Sequence, residues 1–437
     1  MQTKKSYLGY LPLAIFILAF SVFYFSGIPG VPFHPDESTN LFMSKDLDLL
    51  IQSPSELLWK PLKNSDVRQT YRELDAPLSR YLIGIGRWIK GLPALPVDWN
   101  WSETWKANDQ AGALPRSDLL NTGRFAVAAL FPCSLVLLYF SASKIGGRFL
   151  SWTTILLLSG NALVLLHTRR AMMESGLLFN IILFLFVLLQ FKSKPWLSAI
   201  PAALAFSSKQ TAGVLALIGV AAIILLYINK EILIKTALFY LGLYAGIFLI
   251  IVILLNPYLW SNPLLAARDA VAARQYLLQR QISDIQSASP EMSLNNPLKR
   301  FGAIIVQLFL TKPAVADISN YLVETNSAEL VYFSNPINSL FRDFFGGSIL
   351  LILSMLGFIL GLRQMYRRTG QSRAKIGLIW FAGLVQFIGL GLAVSLPFQR
   401  YCLPMVPFSC LWIAYGLEQG RQLIMLHSSR WKTRCLL

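Results

Sequence analysis

Residues 233–255 read LIKTALFYLGLYAGIFLIIVILL, and the last 20 of them contain no charged side chain. A helix of about 20 apolar residues crosses the hydrocarbon core of a bilayer, because all its backbone polar groups are satisfied within the helix. The stretch therefore predicts a transmembrane helix. Any fold proposed for this chain must include a membrane span.

Comparable apolar stretches recur along the 437 residues. We expect a single integral membrane domain over 1–437, all-α and polytopic, with about ten transmembrane helices. The predicted spans are 7–26, 122–142, 149–167, 175–191, 196–207, 211–228, 233–255, 344–362, 376–395 and 401–417. The first lacks a small-residue cleavage pattern and is interpreted as a retained helix. The stretch 196–207 is too short to cross alone and could form a broken element with 211–228, so the count carries an error of one or two.

The composition excludes several other classes of protein. Charged residues make up 14% of the chain and hydrophobic residues 55%, with a mean hydropathy of +0.53. Soluble domains carry about 25% charged residues. A soluble enzyme, a disordered chain and a nucleic-acid-binding module are therefore ruled out.

The distribution of charge predicts the orientation in the membrane. The net charge is +17, and the ten spans place 17 basic and two acidic residues on the inner side, against 22 basic and 20 acidic residues outside. An excess of Lys and Arg marks cytoplasmic segments. We expect both termini in the cytoplasm, and two long polar segments, 27–120 and 257–343, on the extracytoplasmic face.

The two outer segments have patterns of short amphipathic helices. Residues 97–105 read VDWNWSETW, and Trp favours the membrane interface, so we expect such helices to lie on the outer leaflet. A simpler interpretation is that they only cap the bundle. The segment 257–343 shows no motif that can be assigned.

The stretch FHPDESTN, residues 33–40, follows the first span on the outer face. Pro35 favours an extended backbone at His34, after which Glu37 or Ser38 could begin a helix. Ionised Asp36 and Glu37 at a helix N-terminus could act as a general base or hold a divalent cation with His34. The alternative is an acidic helix cap without chemistry.

Two further stretches place charge between apolar spans. HTRRAMMES, residues 167–175, carries Arg169, Arg170 and Glu174, and AFSSKQTAG, residues 205–213, carries Lys209. Charge at this depth is costly and usually functional, and Lys209 could neutralise a phosphate. An i,i+4 ion pair and snorkelling side chains are the alternatives.

Further cations lie at the outer ends of spans. Arg80 occurs in RELDAPLSRYLIG, residues 72–84, Arg400 in LPFQRYCLPMVP, residues 396–407, and Arg124 opens the second span. These cations share one predicted layer with Asp36, Glu37 and Glu174. The sequence therefore predicts a polar cavity for an anionic lipid head group.

Taken in chain order, these motifs resemble those of the membrane-embedded GT-C glycosyltransferases. The branch that uses polyprenyl-phosphate sugars, with protein O-mannosyltransferases and aminoarabinose–lipid A transferases, is the most similar. FHPDESTN resembles its first acidic motif, DAPLSRYLIG its Pro-Pro-Leu motif with Ala76 for the first proline, and RRAMMESGLLF its second acidic motif with Glu174 for Asp. SSKQTAG resembles its Lys-containing junction and QRYCLPMVP its Arg-Tyr-x-x-Pro signature. The resemblance covers about 30–215 and 396–407.

The resemblance implies transfer of a hexosyl or pentosyl group from a polyprenyl-phosphate carrier to an acceptor hydroxyl outside the cytoplasm. Asp36 would be the general base and Glu37 an assisting carboxylate. His34, Arg80, Arg169, Arg170, Glu174, Lys209 and Arg400 would bind the substrates. No essential cofactor is expected. A divalent cation is an option, with His34, Asp36 and Glu37 as ligands.

The acceptor is left open among protein, lipid and glycan, and a bacterial plasma membrane is expected because the chain is short for the eukaryotic enzymes. A transporter or flippase for an anionic lipid or sugar phosphate is the alternative function, since the same cationic cavity would serve it. Transport sites usually lie near the bilayer midplane, whereas these charges cluster at one boundary. A non-catalytic assembly factor leaves the acidic motif and Lys209 unexplained.

Overall fold

The computed structural model describes residues 7–61, 66–316, 321–367 and 371–434, and these regions are helical without a strand. The first helices are α1 Leu11–Ser26, α2 Pro35–Met43, α3 Lys45–Gln52, α4 Val67–Leu74, α5 Leu78–Lys90, α6 Trp105–Gln110, α7 Ser117–Ala128, α8 Leu130–Ile145, α9 Arg148–Ser159 and α10 Ala162–Thr168. They are followed by α11 Glu174–Gln190, α12 Ala199–Ser208, α13 Val214–Ile228, α14 Ile234–Leu255, α15 Pro263–Ala288, α16 Pro297–Ile305, α17 Leu322–Phe333, α18 Phe344–Arg367, α19 Gln371–Ala393 and α20 Val406–Arg434.

The helices confirm an integral membrane protein, with fewer full-length spans than expected. In the described regions, five helical stretches are long and apolar enough to cross a bilayer: Ser117–Ile145, Gln210–Ile228, Ile234–Leu255, Phe344–Tyr366 and Ala374–Ala393. A sixth arises if α9 and α10 count as one span. The expected helices at 7–26 and 175–191 are present as α1, which has 16 residues, and α11, which has 17.

The stretch 149–167, expected as one span, is bent. α9 and α10 meet at an angle of 58° at Gly160–Asn161. The Asn161 side chain accepts a hydrogen bond from the backbone N–H of Val164 at 3.1 Å and starts a new helix there. Asn is a strong N-cap because its carbonyl satisfies an orphan backbone donor. α12 is also short, with 10 residues, and a 3₁₀ turn at Gln210–Gly213 separates it from α13.

The helices of the first outer segment build a small core of their own. Buried apolar side chains from α2, α5 and α7 pack together, and this cluster includes Leu41, Phe42, Ile83 and Val127. The amphipathic character of these helices therefore serves packing against α7. This core fixes α2 and its acidic N-terminus relative to the membrane helices.

The tryptophan-rich stretch packs inward. Trp99 is buried, and its ring lies 5.3 Å from that of Trp105 and 5.2 Å from that of Tyr321. Phe33, directly before the acidic motif, joins the same cluster. Trp99 is thus an internal packing residue in place of the expected interfacial anchor.

The second outer segment contacts the first through the long helix α15, which packs against α4. Trp59 links the two segments, because its indole N–H donates to Asp269 at 3.1 Å and its backbone N–H donates to the Tyr258 carbonyl at 3.2 Å. The region without a sequence motif therefore forms one wall over the first outer segment.

Candidate active site

The acidic motif is the N-terminus of α2 and forms a capping box. His34 Nδ1 accepts from the Asp36 backbone N–H at 3.1 Å, and the Glu37 carboxylate accepts from the His34 backbone N–H at 3.0 Å. Pro35 occupies the first turn, where its missing N–H costs nothing. The cap holds two adjacent carboxylates at fixed positions, and their surroundings differ.

Glu37 is fully buried inside the protein. Arg124 donates to both its oxygens at 2.8 and 2.7 Å, and the Ala171 backbone N–H donates at 2.8 Å. Burial alone would raise the pKa of Glu37, but the charge and hydrogen bonds of Arg124, helped by Arg170 and Ala171, hold it below its ordinary value. An assisting role in catalysis, expected for Glu37 from the resemblance, does not fit this buried placement, since Glu37 connects α2 with α7 and with the α10–α11 junction.

Asp36 faces a cavity and forms an ion pair with Arg400. Arg400 comes from the 3₁₀ turn Gln399–Met405 that precedes α20, and its guanidinium lies 5.8 Å from the Phe398 ring and 5.9 Å from the Tyr401 ring. The two partners are 364 positions apart in the chain. The fold thus brings the first acidic motif onto the Arg-Tyr signature.

Lys209 and Glu174 form a second ion pair beside this cavity. Lys209 Nζ donates to Glu174 Oε1 at 2.9 Å and lies 4.5 Å from the Tyr401 ring centre. Glu174 begins α11 and is fully buried, whereas Lys209 follows α12 and lines the cavity. Glu174 therefore positions the lysine, and Tyr401 connects the two ion pairs.

The cavity has a volume of about 530 Å³. Asp36, Lys209 and Arg400 line it together with aromatic side chains that include Tyr71, Trp101, Phe398 and Tyr401. A carboxylate opposite two cations can accept a proton while a separate anion binds.

Three arginines expected to bind substrate lie outside the cavity lining. Arg80 is buried and bonded to Asp46 at 2.8 Å and to the Asp75 carbonyl at 2.7 Å. Arg169 donates to the Tyr24 carbonyl at 3.0 Å, at the C-terminal end of α1. A side-chain carbon at Gly27 would lie 2.7 Å from the Arg169 guanidinium, so a larger residue there would require the arginine to shift.

Arg170 is buried as well and joins two loops. It donates to the Pro32 carbonyl at 3.2 Å and to the Val315 carbonyl at 2.7 Å. Arg80, Arg169 and Arg170 thus share one task, which is to satisfy carbonyls or carboxylates inside the protein. Charge at the ends of apolar stretches therefore does not distinguish residues that pack inside the protein from residues that line the cavity.

Two residues that line the cavity, Asp75 and Arg274, were not among the predicted site residues. Asp75 lies in the DAPLSR motif and faces Arg274 of α15, with 3.8 Å between carboxylate oxygen and guanidinium nitrogen. Burial, with the negative charge of Asp36, raises the pKa of Asp75 above its ordinary value. Asp75 could have been found from its motif, whereas nothing in the local sequence distinguishes Arg274 from the other basic residues of its helix.

The residues do not fit a divalent cation at the acidic motif. His34 Nδ1 caps α2, Glu37 is bonded to Arg124, and Asp36 is paired with Arg400. Across the described part of the chain, no three His, Cys, Asp or Glu side chains are grouped as metal ligands. The guanidinium groups of Arg124 and Arg400 contact the two carboxylates that a metal would need.

Comparison with known proteins identifies the fold. No protein-family model and no curated protein sequence matches the chain. The apo structure of the Archaeoglobus fulgidus oligosaccharyltransferase matches with a TM-score of 0.52 and 11% identity, over 97% of this chain and 52% of that one. The oligosaccharyltransferase AglB from Archaeoglobus fulgidus, in complex with an inhibitory peptide and a dolichol-phosphate, matches with a TM-score of 0.51 and 11% identity over 96% of this chain and 52% of that one. A third structure, in complex with zinc and sulfate, has a TM-score of 0.49, with 13% identity over 91% and 46%.

This chain spans about half the length of those archaeal structures. At 11% identity the likeness concerns the fold alone. It agrees with the membrane-embedded helical architecture that the motifs predicted. The chain is an integral membrane protein whose helical fold is similar to that of the archaeal oligosaccharyltransferase.

Proposed function

We propose that this protein is a glycosyltransferase that moves a sugar from a polyprenyl-phosphate carrier to an acceptor hydroxyl on the extracytoplasmic face. One observation carries the proposal: Asp36, Lys209 and Arg400, from three distant parts of the chain, line one cavity. The GT-C-like fold supports it, because the archaeal neighbour with this fold was solved with a dolichol-phosphate.

The cavity supplies the two functions that the transfer needs. Asp36 takes the proton from the acceptor hydroxyl as its oxygen bonds to the anomeric carbon. The bond between that carbon and the phosphate oxygen breaks, and its electron pair leaves on the polyprenyl phosphate. Lys209 and Arg400 stabilise the charge that develops there.

The ion pair between Asp36 and Arg400 gives substrate binding a further role. A donor phosphate competes with Asp36 for the Arg400 guanidinium, since Arg binds phosphate and carboxylate in the same forked geometry. Donor binding thereby releases Asp36 to act as a base. Glu174 keeps Lys209 in place through the 2.9 Å contact while the phosphate binds.

The carrier lipid accounts for a site in the outer layer of a membrane protein. The prenyl chain stays in the bilayer beside the apolar helices, and the phosphate reaches the boundary where charge is tolerated. We place the protein in a bacterial plasma membrane with both termini in the cytoplasm, in keeping with the charge distribution. In this proposal the side-chain cations Lys209 and Arg400 neutralise the phosphate.

The test is a transfer assay on the full-length protein in detergent. Purified protein is incubated with a panel of polyprenyl-phosphate hexoses and pentoses, and released polyprenyl phosphate is measured. We expect release with one donor, and its loss in Asp36→Asn. Release that is unchanged in Asp36→Asn would overturn the assignment of the base.

A transporter is the competing function, and the same preparation discriminates it. In proteoliposomes, a flippase moves the intact donor between leaflets without cleavage and retains this activity in Asp36→Asn. Movement of intact donor without any release would replace the proposed function.

A further inference from the structure

The charged side chains of the cavity differ in exposure. Those of Lys209 and Arg400 are 7% and 12% exposed. Those of Asp75 and Arg274 are 32% and 40% exposed, and that of Asp36 is intermediate at 27%. Exposure thus separates a buried pair of cations from a more exposed pair that carries both charges.

This gradient matches the order of groups in the transfer reaction. The leaving phosphate requires cations in a closed site, where electrostatic interactions are strong. The acceptor arrives from the aqueous side and must reach the base, which therefore lies between acceptor and phosphate. Asp36 has that intermediate exposure, so the more exposed pair, Asp75 and Arg274, is suited to the acceptor.

Asp75 and Arg274 are suited to bind hydroxyl groups. Their 3.8 Å separation is longer than a hydrogen bond, so this ion pair does not use the hydrogen-bonding capacity of either side chain. The Asp75 backbone is held by Arg80, which donates to its carbonyl at 2.7 Å, so the carboxylate is positioned in advance. Arg80 of the DAPLSR motif thus acts through Asp75.

The other lining groups are suited to a saccharide. Neutral hydrogen-bonding side chains, Asn40, Thr70 and Gln281, share the cavity with the aromatic Tyr71 and Trp101. These groups match the many hydroxyls and the apolar ring face of a sugar.

Building on the proposed glycosyl transfer, we propose that Asp75 and Arg274 form the acceptor subsite and that the acceptor is a saccharide hydroxyl. The second outer segment therefore contributes acceptor recognition through α15, although its sequence resembles no motif. Asp75 and Arg274 determine which acceptor is used, while Lys209 and Arg400 determine donor binding.

The experiment compares Asp75→Asn and Arg274→Gln with Arg280→Gln. Arg280 is on the same helix, in an exposed pair with Asp284 that is 69% and 70% exposed, and serves as the matched control. The acceptor probes are p-nitrophenyl glucoside, p-nitrophenyl mannoside and a peptide rich in Ser and Thr. Donor affinity is measured separately, by binding of the polyprenyl-phosphate sugar without acceptor.

We expect transfer to a glycoside, with KM for that glycoside raised about tenfold or more in Asp75→Asn and Arg274→Gln, the loss expected when a hydrogen bond to a charged group is removed. Donor affinity should stay within twofold of the parent in both, and Arg280→Gln should change neither value. A weakened donor affinity with unchanged acceptor KM would assign the pair to the donor and overturn the inference, as would unchanged values in both variants.

Two outcomes separate this inference from the proposed function. Transfer to the peptide and to neither glycoside overturns the saccharide acceptor but retains the glycosyltransferase. No release of polyprenyl phosphate in any mixture, with donor moved intact in liposomes, overturns the proposed function itself.

Discussion

Asp36 and Glu37 are neighbours in the chain, yet they belong to two different regions of the molecule. Asp36 lies in the cavity with Arg400, whereas Glu37 lies in the buried network with Arg124. The first region has partly exposed charges that can exchange partners. The second consists of charges whose hydrogen bonds are completed within the protein. The surroundings of each carboxylate, and not its position in the motif, thus decide whether it faces the cavity or belongs to the buried network.

The largest expected effect concerns Asp36, which lies in the cavity. Asp36→Asn should lower the transfer rate about a thousandfold, because general base catalysis contributes between a hundred- and ten-thousandfold. Thermal stability should remain close to that of the parent, since Asp36 is partly exposed. Released polyprenyl phosphate and a thermal unfolding curve provide the two measurements, with the surface variant Asp118→Asn as control.

For the buried pair of Glu37 and Arg124 we expect the opposite pattern, a loss of stability with unchanged donor affinity. Arg124→Met leaves Glu37 as an uncompensated buried charge and should cost about 3 kcal/mol or more of folding free energy. Donor affinity of the fraction that remains folded should be unchanged. Thermal unfolding followed by tryptophan fluorescence measures the first quantity. A stable Arg124→Met protein that fails to bind donor would move Glu37 into the substrate site.

Lys209 belongs to both regions, and a double variant separates its two roles. Lys209→Met should weaken donor binding about tenfold to a hundredfold and also destabilise the protein, because Glu174 is left buried and charged. Adding Glu174→Gln should recover most of the stability while donor binding stays weak. Recovery of binding along with stability would mean that the lysine acts through packing alone.

The sequence predicted a membrane-embedded helical protein, and the structure confirms this part. The motifs also pointed to Asp36, Lys209 and Arg400, which the structure brings to one cavity. Arg80, Arg169 and Arg170 shared the same signal, since charge is costly at this depth whether it binds substrate or closes a helix end. Their partners are mostly backbone carbonyls such as those of Tyr24 and Pro32, which no sequence pattern marks.

Helix breaks and long-range contacts also could not be predicted from the sequence. The bend at Gly160–Asn161 lies inside a continuous apolar stretch, and its signal is one Asn that can cap a helix. Arg274 reaches the cavity only because α15 packs on α4. Long-range packing of this kind depends on side-chain shape along whole helices, which hydrophobic periodicity does not specify.

The dependence of stability on pH should have opposite signs for two carboxylates. The pKa of Glu37 is lowered from 4.5, so its stabilising contribution is present above that value and is lost as pH falls through the lower pKa of the folded state. Unfolding temperatures measured from pH 6 downwards should fall in the parent and fall less steeply in Glu37→Gln. An unaltered acid slope in Glu37→Gln would place the sensitive group elsewhere.

The pKa of Asp75 is shifted in the opposite direction from that of Glu37, because it is raised from 3.8. Its ionisation therefore opposes folding, and stability is lost as pH rises from 3.8 through the higher pKa of the folded state. Asp75→Asn should remove this penalty and leave the protein at neutral pH as stable as the parent or slightly more stable. A substitution that weakens acceptor use while the fold is not weakened is typical of a binding residue, because function often retains charge at a cost in stability.

The smallest expected effect is at a charge pair that belongs to neither region. Arg116 and Asp118 form an exposed contact at 2.7 Å, where the arginine side chain is 86% exposed. Surface pairs contribute between zero and about 1 kcal/mol because water screens them and two side chains must be ordered. Arg116→Gln should leave the unfolding temperature, donor binding and transfer near parental values. If Arg116→Gln altered donor binding, net charge over the outer face would govern the site, and the distinction between cavity pairs and buried pairs would lose its force.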